Sequence, residues 1–141
     1  LRIVLDTNVL VSGLLSPFGP PGEIVRWVSS GAIVLCLDAR LLAEYEEVLA
    51  RPRFGFDADA VAALLDFVVV RGEMVASEPL RLRLPDPDDE AFLEVAVAGA
   101  ADALVTGNLD HFPADRRVRV AVLSPAAFVE ALRSKVGSDG T

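Results

Sequence analysis

The strongest constraint on this chain is a repeated pattern: a short, unbroken apolar run that stops at a polar residue and gives way to a helical segment. Arg2-Ile3-Val4-Leu5 stops at Asp6, Ala32 to Leu37 stops at Asp38, and Ala103-Leu104-Val105-Thr106 stops before Gly107-Asn108. An apolar run without alternation reads as a strand buried on both faces. Strands separated by helices are joined by crossovers, so the pattern predicts a parallel sheet with helices on both faces, a three-layer α/β/α sandwich. Sheets of this kind bind ligands at the carboxyl ends of their strands, where strand order reverses. The residues just past each strand are the ones to inspect.

The intervening segments read as helices with identifiable ends. Val9 to Leu15 runs into the breaker loop Ser16 to Gly22, and Glu23 to Ser30 places Ile24, Trp27 and Val28 on one face before Gly31. Asp38 caps a helix that runs to Ala50 and is stopped by Pro52, and Asp57 or Asp59 caps another to Val70. Met74-Val75-Ala76 reads as a brief strand, and Ser77 to Leu84 as a polar linker. Asp86 caps a helix with Pro87 in its first position, running to about Ala100; Val118 to Leu123 is the last strand, and Ser124-Pro125 opens a terminal helix.

At 141 residues the chain is expected to form one domain, residues 1–141, large enough to bury a core without disulfide or metal. Its single cysteine, Cys36, reads as a buried apolar residue and rules out an intrachain disulfide, which favours a cytoplasmic location. Because His111 is the only histidine, a zinc site built from cysteine and histidine is excluded, and His111 itself reads as a loop residue. Despite a mean hydropathy of +0.45, no apolar run approaches the roughly 20 residues of a membrane span. No signal peptide is expected, since Leu1 opens directly into a strand. The net charge of −8 argues against a generic nucleic-acid coat but not against an enzyme that holds cations.

Carboxylates gather where the sheet would bind a ligand. Asp6 follows the first strand, Asn108 and Asp110 follow the Thr106 strand, and Asp86, Asp88, Asp89 and Glu90 crowd one helix start. Glu44 borders the buried stripe of Leu41, Tyr45, Val48 and Leu49, and Asp89 lies in line with Phe92 and Ala96. Inward carboxylates repel and lose hydration unless something compensates, and Mg²⁺ or Mn²⁺ does so through oxygen ligands. Each signal also has a structural reading: Asp6-Thr7-Asn8 and Asp86-Pro87 are good caps, and Glu44, Glu46 and Glu47 can form a solvated face.

Four stretches in order resemble the PIN domain, specifically the VapC-type ribonucleases of toxin–antitoxin systems: Leu5-Asp6-Thr7-Asn8-Val9-Leu10, Leu42-Ala43-Glu44, Asp86 to Leu93, and Ala101 to Asn108. The resemblance implies a five-stranded parallel sheet and a site in which Asp6, Glu44 and Asp89 match the first three acidic positions. The usual fourth aspartate is Asn108 here, which lowers the charge available to a metal, with Asp110 a substitute two residues on. It further implies hydrolysis of single-stranded RNA with Mg²⁺ or Mn²⁺; with Asn108 bringing no charge, one ion is expected to be held firmly and a second weakly. Asp6, Asp89 and Asp110 would ligate; Glu44 would hold water or help deprotonate it; Thr7, Asn8, Thr106 and Asn108 would orient the ligands.

The same resemblance implies an antitoxin partner and a homodimer, with Phe18 or Phe54-Gly55-Phe56 as candidate interface residues. Arg116 and Arg117 are expected at the RNA backbone, with Arg51, Arg53 and Arg119 as further cations. A dinucleotide-binding fold is disfavoured because no glycine-rich turn follows the first strand. An aspartyl phosphotransferase is disfavoured because Asn8 stands where a second acid is needed. The alternative function is a catalytically weakened PIN-fold module that binds RNA or protein.

Overall fold

The computed structural model describes residues 1–139, with burial described as far as residue 135, so residues 140–141 of the expected domain lie outside the described part. Five parallel strands form one sheet: β1 (Arg2–Leu5), β2 (Val34–Leu37), β3 (Glu73–Met74), β4 (Ala103–Val105) and β5 (Val122–Leu123), in the order β3-β2-β1-β4-β5. The helices are α1 (Thr7–Leu15), α2 (Pro20–Ser29), α3 (Ala39–Leu49), α4 (Ala58–Arg71), α5 (Glu90–Ala98) and α6 (Pro125–Asp139). Short 3₁₀ turns lie at Pro52–Phe54, Pro87–Asp89, Leu109–His111 and Ala114–Arg116.

The expected α/β class and five-stranded parallel sheet are what the chain forms. The steps from β1 to β2 and from β2 to β3 go one way and carry α1 to α4. The step from β3 to β4 goes back across the sheet and carries α5, which packs on β1, β2 and β4. Right-handed crossovers in opposite directions put their helices on opposite faces. Strand order reverses between β1 and β4, so the switch-point crevice opens beyond Leu5 and Val105.

The core follows from the apolar runs. Ile3, Val4, Leu5, Cys36, Leu37, Leu104 and Val105 are fully buried, as expected of central strands covered on both sides. α1 and α2 approach closely at Gly13, where an added Cβ would stand 2.6 Å from the Pro21 carbonyl oxygen. Asp38 caps α3 as expected, accepting from the Arg40 and Leu41 N–H groups at 2.9 and 3.1 Å.

Several boundaries differ from the sequence reading. α1 begins at Thr7, directly after β1, because Asp6 is its cap. β3 falls at Glu73–Met74, where Gly72 ends α4, one residue earlier than expected. The last strand is only Val122–Leu123: Val118 and Arg119 have φ of +50° and +65°, a left-handed pair that breaks the extended run. Asp86 does not open a helix directly; it caps the 3₁₀ turn Pro87–Asp89, and α5 starts only at Glu90.

Candidate metal centre

The β1–α1 junction supplies the first acid. The Asp6 N–H donates to the Val105 carbonyl at 3.0 Å, which ties it to β4. One carboxylate oxygen accepts from the Thr106 hydroxyl at 2.8 Å, the other weakly from the Asn8 N–H at 3.4 Å. Thr106 is fully buried and also accepts from the Asn108 N–H at 3.0 Å, so one hydroxyl sets both strand ends. Asp6 thus caps α1 at the carboxyl end of β1.

On the opposite side, β1 and β2 are paired at Arg2 and Ile3, and β2 ends at Leu37, level with Leu5, where α3 takes over. Backbone groups alternate sides along a strand, so the Leu5 carbonyl points away from β4, towards the place β2 has vacated. The Tyr45 hydroxyl fills that slot, donating to Leu5 O at 2.6 Å from a side chain that is wholly buried. Burial, then the Asp6 and Glu44 charges, push this phenol well above its ordinary 10 and keep it a donor. The neighbouring Glu44 is half-buried and accepts from the Thr7 hydroxyl, so two successive residues of α3 fasten it to the β1–α1 turn.

Asp89 comes from the 3₁₀ turn before α5 and is buried, 9% exposed. Its carboxyl is pushed up to about 6 by burial first and then by the charges of Asp6 and Asp86, against the opposing pull of His111. Asp6 and Asp86 are thus the acids whose charges act on Asp89, although Asp6 itself lies outside the close group that Asp89 forms with Asp86 and His111. His111 is the residue the sequence reading missed. Its Nδ1 lies 2.9 Å from Asp89 Oδ2, across 22 positions of sequence. One ligand-type atom each from Asp86, Asp89 and His111 lies within 4.8 Å of the others. A lone histidine carries no spacing signal; what brings it here is the 3₁₀ turn Leu109–His111, anchored by fully buried Phe112.

Asp110 is on the same turn but exposed, and it is not part of the Asp86, Asp89 and His111 group. Asn108 is half-buried at the head of that turn, with its N–H on Thr106. Arg117 donates through Nε to the Phe112 carbonyl at 2.8 Å, and Arg116 to the Arg83 carbonyl, so both brace the loop beside the centre. Arg51 and Arg53 lie past the far end of α3, where Arg51 pairs with Glu47 and Arg53 stacks on Phe54.

The arrangement suits a hard divalent cation. The Asp86 and Asp89 carboxylates meet one imidazole, and burial, then the Asp6 and Asp86 charges, raises the Asp89 carboxyl.

A strand-order switch point lined with carboxylates is the mark of an α/β fold arranged for metal-assisted chemistry. Comparison with family models gives the specific result: the PIN domain model matches residues 2–110, from β1 through the turn carrying Asp110. The chain belongs to the PIN domain family, whose members are typically metal-dependent nucleases. No curated protein and no solved structure matches it. No helix among the described residues is long and apolar enough to cross a membrane.

Proposed function

We propose that this protein is an endoribonuclease of the VapC type that cleaves single-stranded RNA with Mg²⁺ or Mn²⁺. In this reading it is the toxin of a toxin–antitoxin pair, cytoplasmic and homodimeric. The observation that carries the reading is the group of Asp86, Asp89 and His111, whose ligand-type atoms lie within 4.8 Å of one another, with the Asp89 carboxyl raised by burial and by the Asp6 and Asp86 charges, a strain that a cation relieves. Asp6 and Asp89 would hold the ion, with Asp86 and His111 at its edge and Glu44 opposite; Asp110, being exposed, would act through water if at all. When bound, a divalent ion acidifies water and neutralises charge on the phosphate.

The chain's own groups then have distinct tasks. Thr106 holds Asp6 in one orientation, Thr7 holds Glu44, and His111 holds Asp89. Glu44 stands as the carboxylate that takes a proton from attacking water. Arg116 and Arg117, beside the centre, offset the repulsion between the acids and an RNA backbone. A basic side chain of an antitoxin would neutralise the same acids when the enzyme is held inactive.

A second reading is a weakened PIN-fold module that binds RNA or a partner without cutting; Asn108, bringing no charge where an aspartate is usual, favours it. Incubation of single-stranded RNA with the protein, in Mn²⁺ or Mg²⁺ and in EDTA, separates the two. Metal-dependent cleavage supports the nuclease; RNA binding without cleavage across several RNAs supports the module.

A further inference from the structure

Residues 75–86 form no helix and no strand, yet they are held in place at considerable cost. Glu90 and Glu94, one turn apart on α5, are each only 8% exposed. Glu94 accepts from the Leu80 N–H at 3.2 Å and pairs with Arg40 at 2.7 Å; Glu90 accepts from the Leu84 N–H at 2.9 Å and pairs with Arg83 at 3.3 Å. Burying two carboxylates is unfavourable unless they are satisfied, and here the satisfaction comes from the strap's backbone. The strap ends at Asp86, which belongs to the close group with Asp89 and His111, so its position is fixed relative to the candidate centre.

The strap meets the turn 113–119. Arg116 donates to the Arg83 carbonyl, and a groove of about 490 Å³ lies between them, floored by Leu80, Leu82, Val97 and Val118. Val118 reaches this groove from a left-handed conformation, φ +50°, that a β-branched residue rarely adopts. Strap and turn together carry five arginines (81, 83, 116, 117 and 119) against three acids, net +2 in a chain of net −8. Arg81 lines this groove beside Glu78, while Arg83, paired with Glu90, and Arg116, on the Arg83 carbonyl, are exposed next to it. Exposed cations beside an apolar floor match a single strand, whose phosphates seek charge and whose splayed bases seek apolar contact.

We propose that the strap and this turn form the RNA-binding rim of the protein, with Arg81 and Arg83 on the sugar-phosphate backbone and a base on the Leu82–Val118 floor. This rests on the nuclease reading for its substrate but not for its test. The experiment measures binding of a fluorescein-labelled single-stranded oligoribonucleotide to the full chain in EDTA, across a salt series. Arg81→Gln/Arg83→Gln is compared with Arg81→Lys/Arg83→Lys and with Arg51→Gln/Arg53→Gln on the far side; thermal melts confirm that each is folded. Two lost phosphate contacts should lower the slope of log K against log salt by about 1.4. The lysine pair should keep the slope, and the far-side pair should leave it unchanged. An unchanged slope in the Arg81→Gln/Arg83→Gln protein, an equal loss in the far-side variant, or no RNA binding by the wild type overturns the rim. Salt-dependent binding without metal-dependent cleavage would instead overturn the nuclease reading and leave the rim standing.

Discussion

Replacing Asp89 by Asn should make the metal-free protein more stable while removing its nuclease activity. The Asp89 carboxyl is raised from the ordinary 3.8 to about 6 by burial and by the Asp6 and Asp86 charges. The folded chain therefore binds this proton more tightly than the unfolded chain does. Stability contributed by the protonated form is complete below about pH 4 and is lost as pH rises through about 6. The difference corresponds to about 2–3 kcal/mol acting against the charged form at neutral pH, with little screening at a side chain 12% exposed. Asparagine has the same shape without the charge. Urea denaturation in EDTA near neutral pH should show Asp89→Asn more stable by about 2 kcal/mol, a rise in Tm on the order of 5–10 °C. Near pH 4 the two proteins should coincide. Adding Mn²⁺ should close the gap from the other side, since an ion at about 100 times its Kd stabilises only the protein that binds it, by about 2.7 kcal/mol. An Asp89→Asn protein that is less stable at neutral pH, or a gap that does not change with pH, would refute the reasoning.

Three further outcomes follow from particular contacts. Tyr45→Phe removes the only donor described at the Leu5 carbonyl and should cost about 1–3 kcal/mol in denaturant unfolding, with faster amide exchange at Asp6 and Thr7. Gly13→Ala forces a Cβ to within 2.6 Å of the Pro21 carbonyl and should lower stability by about 1–3 kcal/mol, read by thermal melting, with metal binding by the folded protein unchanged. His111→Ala frees Asp89 to rotate and should lower cleavage about 10–100-fold, the effect typical of losing an outer partner of a ligand, with RNA affinity in EDTA preserved.

Much of this fold is legible in the chain because its strongest local signals agree with the tertiary structure. β1, β2 and β4 are apolar runs buried on both faces, and Asp38 both ends a strand and caps α3 as its position suggests. Asp6, Glu44 and Asp89 stand out because each is an acid at a strand end or beside an apolar stripe, and the fold brings them to one end of the sheet. Other features escape for physical reasons. The pairing of His111 with Asp89 depends on a 3₁₀ turn held by Phe112, and no periodicity reports it. The strap reads as polar linker because its order comes from Glu90 and Glu94, which look like an ordinary first-turn acid and an ordinary solvated helix acid. Val118 to Val120 looks like strand by composition, and only the left-handed pair at 118 and 119 excludes it. Tyr45 is legible as core, but its hydroxyl has a role only because β2 leaves the Leu5 carbonyl without a ladder partner.

The central claim, that Asp6 and Asp89 form a divalent-metal centre, is tested most directly by calorimetric titration of Mn²⁺ into the wild-type chain, Asp6→Asn and Asp89→Asn at neutral pH. One firm ion and a weaker second are expected in the wild type, with the firm site lost in both variants. Two equal tight sites, or unaltered binding in either variant, would contradict it.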